Sequence, residues 1–265
     1  MHRDLQGIRV LLTGASSGIG LATALQLADA GARLLVTARR EALLRELRER
    51  LHCQGRQIDY LAGDITDPAH RSRLLDWVES HWSALDVLIN NAGVGALGPF
   101  VRSDPQRLQR IMRVNFFAPV ELTRLVLPLL KQGTRPAIVN VGSVLGYRAV
   151  PNKSEYCASK FALHGWSESL RLELAPEIDV ILISPSTTAS EFFEVLLATD
   201  GPDSRLSRHG MSTRAVATAV VGALRRGRRE VILTAGGKAL VWLNRLCPAL
   251  ADRVIRLGMP PQVDR

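Results

Sequence analysis

Cysteine is scarce. The three in 265 residues, Cys53, Cys157 and Cys247, leave one over after any pairing and show no Cys-x2-Cys spacing. Neither a disulfide scaffold nor a thiolate redox or metal centre is expected, and a reducing cytoplasm is the simplest setting. The six histidines have no paired spacing with acids or cysteines, so no metal site is expected. No apolar run reaches the roughly 18 residues that cross a bilayer. Met1-His2-Arg3-Asp4 leads straight into the first apolar run, which argues against a signal peptide. Internal repeats, low-complexity tracts and interdomain linkers are missing too. An apolar content of 46% then suits one substantial core. Aromatics make up 5% and do not alternate with the arginines, so no nucleic-acid binding is expected. Tyrosine and lysine are rare as well, at three and four against thirty arginines.

Against that scarcity, Tyr156-Cys157-Ala158-Ser159-Lys160 stands out. Residues at i and i+4 share one helix face, so a phenol and an ammonium serve one site. A nearby cation favours the phenolate, which makes Tyr156 a candidate acid/base with a lowered pKa. Cys157 beside it reads as a small packing residue, and His164 as a core or subunit-interface histidine. A second cluster, Thr13-Gly14-Ala15-Ser16-Ser17-Gly18-Ile19-Gly20, follows the short apolar run Ile8–Leu12 and precedes a helix-like Ala/Leu segment. Strand, glycine loop and helix start together bring backbone N–H groups close to a pyrophosphate.

Apolar runs and amphipathic stretches alternate along the chain, the pattern of a doubly wound α/β domain with a parallel sheet. Strands are expected near 8–13, 33–37, 57–62, 86–90, 137–141, 179–184 and 230–233. Helices are expected near 18–30, 41–52, 68–82, 105–132, 154–175 and 213–225, with Pro128 ending or kinking the fourth.

Thr-Gly-x3-Gly-x-Gly at the N-terminus, Asn90-Asn91-Ala92-Gly93 closing a strand, Asn115 in a long helix, Ser143 closing a later strand and Tyr-x3-Lys thirteen residues beyond it occur in that order. In this the chain resembles the classical short-chain dehydrogenase/reductase (SDR) family, over roughly residues 5–235. The resemblance implies a single Rossmann-type domain with a seven-stranded sheet in the order 3-2-1-4-5-6-7. It also implies an oxidoreductase that moves hydride between a nicotinamide and a carbonyl or secondary alcohol. Tyr156 would be the proton donor, Lys160 would hold the nicotinamide ribose, Ser143 the substrate oxygen, and Asn115 would anchor a proton path through water. Cofactor contacts are implied for Gly14, Ser16, Ser17, Gly18, Ile19 and Gly20, for Asp64 and Ile65 after the third strand, and for Asn91, Ala92 and Gly93. Tyr156, Lys160, Pro185, Ser186 and Thr188 complete that set. A homodimer or homotetramer through the helices near 105–132 and 154–175 is also implied. Asp64 has a second reading, as a helix cap before Pro68. A cofactor-binding sensor or scaffold on the same fold is the alternative to an enzyme.

The end of the second strand, Thr37-Ala38-Arg39-Arg40, lacks the acid that accepts from a ribose 2′-OH. Arginine there suits a 2′-phosphate, so NADP(H) is expected over NAD(H), with Arg39 as the contact and Arg40 read equally well as the start of a solvated helix. The family's Pro-Gly is Pro185-Ser186 here, which puts the turn beside the nicotinamide in question, and Ser190 is a weak candidate for the carboxamide. Residues 187–212, with Phe192, Phe193 and Leu196, read as a substrate lid. Leu97, Leu145, Tyr147 and Val150 suggest apolar walls and a lipophilic substrate, while Arg148 leaves an acidic group open. Residues 236–265 follow the catalytic domain (1–235) as a basic amphipathic extension. Residues 201–265 carry twelve basic and four acidic side chains, most of the net charge of +9. Such an extension suits either docking on its own domain or a partner subunit, or peripheral contact with an anionic membrane.

Overall fold

Seven parallel strands carry the architecture of the computed structural model, which describes residues 2–189 and 210–257. They are β1 (Arg9–Thr13), β2 (Arg33–Ala38), β3 (Ile58–Ala62), β4 (Val87–Asn90), β5 (Ala137–Val141), β6 (Asp179–Ser184) and β7 (Glu230–Ile232). Their order is β3-β2-β1-β4-β5-β6-β7, every neighbouring pair parallel. Successive side chains of a strand point to opposite faces, so each central strand feeds two cores. Val10, Leu12, Leu34 and Val36 pack with Leu27 of helix α1 (Gly18–Asp29), Leu44 and Leu47 of α2 (Glu41–His52) and Val220 and Leu224 of α7 (Thr213–Arg226). Leu11, Leu35 and Leu88 pack on the other face with Leu74 and Val78 of α3 (Pro68–Trp82) and Leu122 and Val126 of α5 (Ala118–Lys131). The sheet is thus covered by helices on both sides.

The stretch expected as one helix over 105–132 is divided. Helix α4 (Pro105–Met112) starts at Asp104, whose side chain accepts from the Gln106 N–H, and a π-helical turn (Arg113–Phe117) joins it to α5. The extra residue of a π turn displaces the backbone locally, and here the displaced turn carries Asn115. Pro128 does not end α5, which runs on to Lys131.

Beyond α6 (Ser154–Glu173) and β6, the short strands Thr188–Ala189 and Met211–Ser212 pair in parallel and pin together the ends of the expected lid. The lid itself, with Ser190, Phe192, Phe193 and Leu196, lies outside the described residues. After β7 the chain forms α8 (Ala235–Leu246) and α9 (Pro248–Leu257).

One buried carboxylate ties the amino ends of three strands. Asp86 accepts from the Arg9 backbone N–H (2.8 Å), the Arg9 guanidinium (2.8 and 2.9 Å) and the Thr134 N–H (2.6 Å). Burial pushes its pKa up, but the Arg9 and backbone donors outweigh it and hold the carboxyl below its ordinary value. A lowered carboxylate pKa stabilises the fold above the unfolded value and is lost as pH falls through the folded one. Urea unfolding at neutral pH is expected to show Asp86→Ala less stable by about 3 kcal/mol, because Arg9 then loses its buried partner. The gap between the two proteins should narrow below about pH 4.

Candidate active site

The carboxyl ends of β1, β2, β4, β5 and β6 open onto one cleft of about 540 Å³. The glycine loop forms its floor at β1, with Gly14 and Gly18 at positive φ (71° and 59°). Gly20 must be glycine for a different reason: a Cβ there would lie 2.1 Å from the Gly14 carbonyl oxygen. The Asn-Asn-Ala-Gly segment after β4 holds this loop. Asn91 Nδ2 donates to the carbonyls of Thr13 (2.9 Å) and Gly14 (3.1 Å), and the N–H groups of Asn91 and Ala92 donate to Thr13 Oγ1 (both 3.0 Å). Asn91 therefore lines the cleft with its amide already committed to the scaffold.

At the far end, Ser16, Ser17, Arg39, Arg40, Asp64 and Ile65 close the cleft. The guanidinium of Arg40, not Arg39, lies on the glycine loop, donating to Ser16 Oγ (3.2 Å) and Ser17 Oγ (2.5 Å). Asp64 does not cap α3. Its carboxylate accepts from the Thr66 N–H and hydroxyl (both 2.8 Å), while Asp67 caps the helix through the Ala69 N–H (3.0 Å).

At the other end stand Ser143, Tyr156 and Lys160. Ser143 follows β5 and caps a short 3₁₀ turn, its Oγ accepting from the Leu145 N–H (3.1 Å). Tyr156, half-buried, stands beside Ser143 in the cleft wall. One turn along α6, Lys160 is buried, and its Nζ donates to the Val141 carbonyl at 2.9 Å. Burial lowers the Lys160 pKa to about 8. Burial also pushes the Tyr156 phenol up to about 12, partly offset by Ser143. The expected lowering of the tyrosine by its neighbour is not found, because the Lys160 Nζ is turned to Val141 and stands 5.8 Å from the phenol ring centre.

Asn115 is buried behind this wall and does not line the cleft. Its amide brackets Val94, accepting from the N–H (2.8 Å) and donating to the carbonyl (2.9 Å), and it also donates to Ser159 Oγ (2.9 Å). A Cβ on Gly93 would meet Asn115 Oδ1 at 3.4 Å and Lys160 Nζ at 3.8 Å, so the two groups flank the same backbone. The buried ion pair of Arg107 on α4 with Glu155 on α6 (2.8 Å) locks the residue next to Tyr156.

Pro185, Ser186 and Thr188 line the cleft after β6. The family's glycine is not needed at Ser186, which has no positive φ, and Thr188 Oγ1 donates to the Ser186 carbonyl (3.0 Å). Leu97, Leu145 and Val150 form apolar walls as expected. Tyr147 does not. It is buried with Leu182 and Val241 and hydrogen-bonds Ser184 (3.2 Å) and Glu230 (2.5 Å). Arg148 is committed to the C-terminal helices, donating to Asn244 (2.9 Å) and pairing with Asp252. Lys153 and Leu240 line the cleft without having been foreseen. Lys153 precedes Tyr156 by one helical turn, a readable signal, whereas nothing in the sequence joins Leu240 to the site. His164 and Cys157 are packing residues, the imidazole on Tyr147 and the Gly146 carbonyl, the thiol buried. Among the described residues no group of side chains could hold a metal ion.

This donor set fits a dinucleotide: a glycine floor with no room for Cβ atoms, a cation at one end and a buried ammonium at the other. A family model described as short chain dehydrogenase matches residues 9–200. The chain belongs to the short chain dehydrogenase family. Among curated relatives, an uncharacterized oxidoreductase, YxnA, of Bacillus subtilis is 32% identical, covering 93% of this chain and 70% of its own length. An 11-beta-hydroxysteroid dehydrogenase-like protein, 4A, of Arabidopsis thaliana is 33% identical over 93% of this chain and 83% of its own. Ketoacyl reductase HetN of Nostoc is 30% identical over 95% and 89%. Among solved structures, a short-chain dehydrogenase from Sphingobium yanoikuyae in complex with NADPH superposes with a TM-score of 0.78 at 28% identity, covering 97% of this chain and 98% of that one. One from Burkholderia phymatum in complex with NAD has a TM-score of 0.85, covers 99% of both chains and, at 24% identity, shows the fold alone. Short chain dehydrogenases of this fold thus occur with either nicotinamide cofactor.

The lowered lysine yields a pH prediction. Lys160 loses its proton as pH rises through about 8, and a neutral amine donates more weakly than an ammonium. NADPH affinity, titrated by fluorescence from pH 7 upward, is expected to weaken by roughly threefold above pH 8. In Lys160→Met it should be lower throughout and flat with pH.

Proposed function

We propose that the protein is an NADP(H)-dependent oxidoreductase that interconverts a lipophilic carbonyl and its secondary alcohol, with Tyr156 as the acid/base. The observation that carries this reading is Tyr156 beside Ser143 in one cleft wall, with the Lys160 ammonium buried one turn behind it. The bound nicotinamide supplies or accepts the hydride. In reduction the substrate oxygen sits between Ser143 Oγ and the Tyr156 hydroxyl. Both hold it by hydrogen bonds, and Tyr156 gives up its proton as negative charge develops there. A phenol pushed up to about 12 stays protonated at neutral pH, which suits a donor. The charge left on the phenolate is stabilised by Lys160, which also holds the ribose hydroxyls. Asn115 fixes the backbone at Val94 and α6 at Ser159, and so anchors a water path that reprotonates Tyr156 by way of Lys160.

Cofactor choice rests on Arg40. Its guanidinium on Ser16 and Ser17, with Arg39 beside it, makes a cationic cradle for a 2′-phosphate where an NAD site has an acid. The lipophilic substrate rests on the walls of Leu97, Val114, Leu145, Val150 and Leu240. Relatives whose names speak of a hydroxysteroid and a ketoacyl group support a carbonyl or hydroxyl on an apolar skeleton. We further assign catalysis to residues 1–235, treat 236–265 as an extension, and place the protein in a reducing cytoplasm, where its free cysteines are stable. Exposed Leu108, Phe117 and Phe161, on α4, the π turn and α6, support a homodimer or homotetramer through those helices.

NADPH oxidation by the purified protein, across ketones and aldehydes graded from polar to lipophilic, tests the reading. Turnover is expected to rise with lipophilicity and to fall at least ~100-fold in Tyr156→Phe. Arg40→Ala should lose about 10- to 100-fold in kcat/KM for NADPH and little for NADH, the worth of its charge-assisted bonds. Undiminished turnover in Tyr156→Phe would remove the mechanism. Tight NADPH binding without any carbonyl reduction would favour a sensor.

A further inference from the structure

Helices α8 and α9 have an inner and an outer face. Inside, Val241 and Ala251 are buried, Arg148 pairs with Asp252, and Asn244 donates to the Tyr147 carbonyl (3.2 Å). These contacts fasten the hairpin to the domain. Outside, Trp242 and Leu246 on α8 and Leu250, Val254 and Leu257 on α9 recur at i+4 and i+7 spacing. They are 46–86% exposed, with Leu246 at 79% and Leu257 at 86%. Contiguous apolar rows of this kind mark an interaction surface. Lys238, Arg245, Arg253 and Arg256 stand exposed on the same two helices, and the Arg245 guanidinium lies over the Trp242 ring at 5.8 Å. The single acid of the hairpin, Asp252, is already paired with Arg148.

We propose that the outer face of α8–α9 seats the protein on an anionic lipid bilayer, the apolar row in the acyl boundary and the four cations at the headgroups. Charge decides against a second copy of the chain as the occupant. A two-fold contact would bring this face against itself, four cations opposing four with no free acid in the hairpin to compensate. A row of Trp and Leu flanked by Lys and Arg is what an interfacial helix needs, and neither helix is long or apolar enough to cross a membrane. The arginine cluster Arg225–Arg229 is no part of this face. It precedes β7 at the amino end of the strand, whereas α8 starts at the carboxyl end, on the side of the cleft. Helix α8 thus carries Leu240 in the cleft wall and Trp242 on the outer row, so the proposed membrane face adjoins the cleft across one helix. Seating on a bilayer does not require reductase activity. An inactive protein that binds vesicles would refute only the reductase reading.

The test is co-sedimentation of the full chain with vesicles of phosphatidylcholine, alone or with roughly a third phosphatidylserine. Binding is expected to the anionic vesicles only, and to weaken with salt. A Trp242→Glu/Leu250→Glu pair and an Arg253→Glu/Arg256→Glu pair should each lower the partition coefficient at least ~10-fold, with NADPH affinity unchanged as the check on folding. Three outcomes would overturn the proposal: no vesicle binding, equal binding to neutral vesicles, or self-association abolished by Leu250→Glu in a protein that ignores lipid.

Discussion

The hydrogen bond from Lys160 Nζ to the Val141 carbonyl is the contact on which the rest of the site depends. An ammonium withdrawn from water must be met by nearby acceptors, so α6 has to lie hard against the carboxyl end of β5. Gly146 shows how hard, since a Cβ there would stand 2.7 Å from the Lys160 carbonyl oxygen. Once α6 is fixed there, Tyr156 one turn earlier and Ser143 two residues past Val141 come together in one cleft wall. The π turn answers the same demand from the other side. It delivers Asn115 to Ser159 and Val94, and the Arg107–Glu155 pair clamps α4 to the start of α6. The proposed chemistry therefore stands on elements of regular structure.

Burial sets the protonation states in opposite directions, the lysine down and the tyrosine up. In the proposed mechanism that combination keeps a proton on the phenol while leaving the lysine able to pass one on near neutral pH. Electrostatic support for the phenolate is thus drawn on as it forms and is not stored beforehand. The cationic cradle at the opposite end of the cleft is separate, built on the exposed hydroxyls of Ser16 and Ser17. On the proposed reading, cofactor selection and chemistry can then vary independently on one floor of glycines.

Much of this was legible in the sequence because its causes are local. A strand, a glycine loop and a helix start announce themselves within twenty residues, and Tyr156 and Lys160 are joined by a single helical turn. The strand order followed from the resemblance, and the register of β4 against β5, which sets Asn90 beside Asn140, agrees with it. What escaped depends on directions or on long-range partners. Arg39 and Arg40 follow the same strand, and only the backbone turn into α2 decides which guanidinium reaches the glycine loop. Arg148 looked free for a substrate carboxylate until α9 placed Asp252 against it. Tyr147 looked like a cleft wall until Glu230 and Ser184 claimed its hydroxyl. The tyrosine pKa went the wrong way because spacing reports a neighbour's identity but neither its orientation nor the depth of burial.

The most direct test of the central claim follows the hydride itself. NADPH carrying deuterium at both nicotinamide C4 positions is incubated with the protein and the best lipophilic ketone, and the alcohol is analysed by mass spectrometry. The account predicts one deuterium on the carbinol carbon in the native protein, and only a trace of labelled alcohol in Tyr156→Phe, which still binds the cofactor. An alcohol formed without label, or labelled equally fast without the phenol, would contradict it.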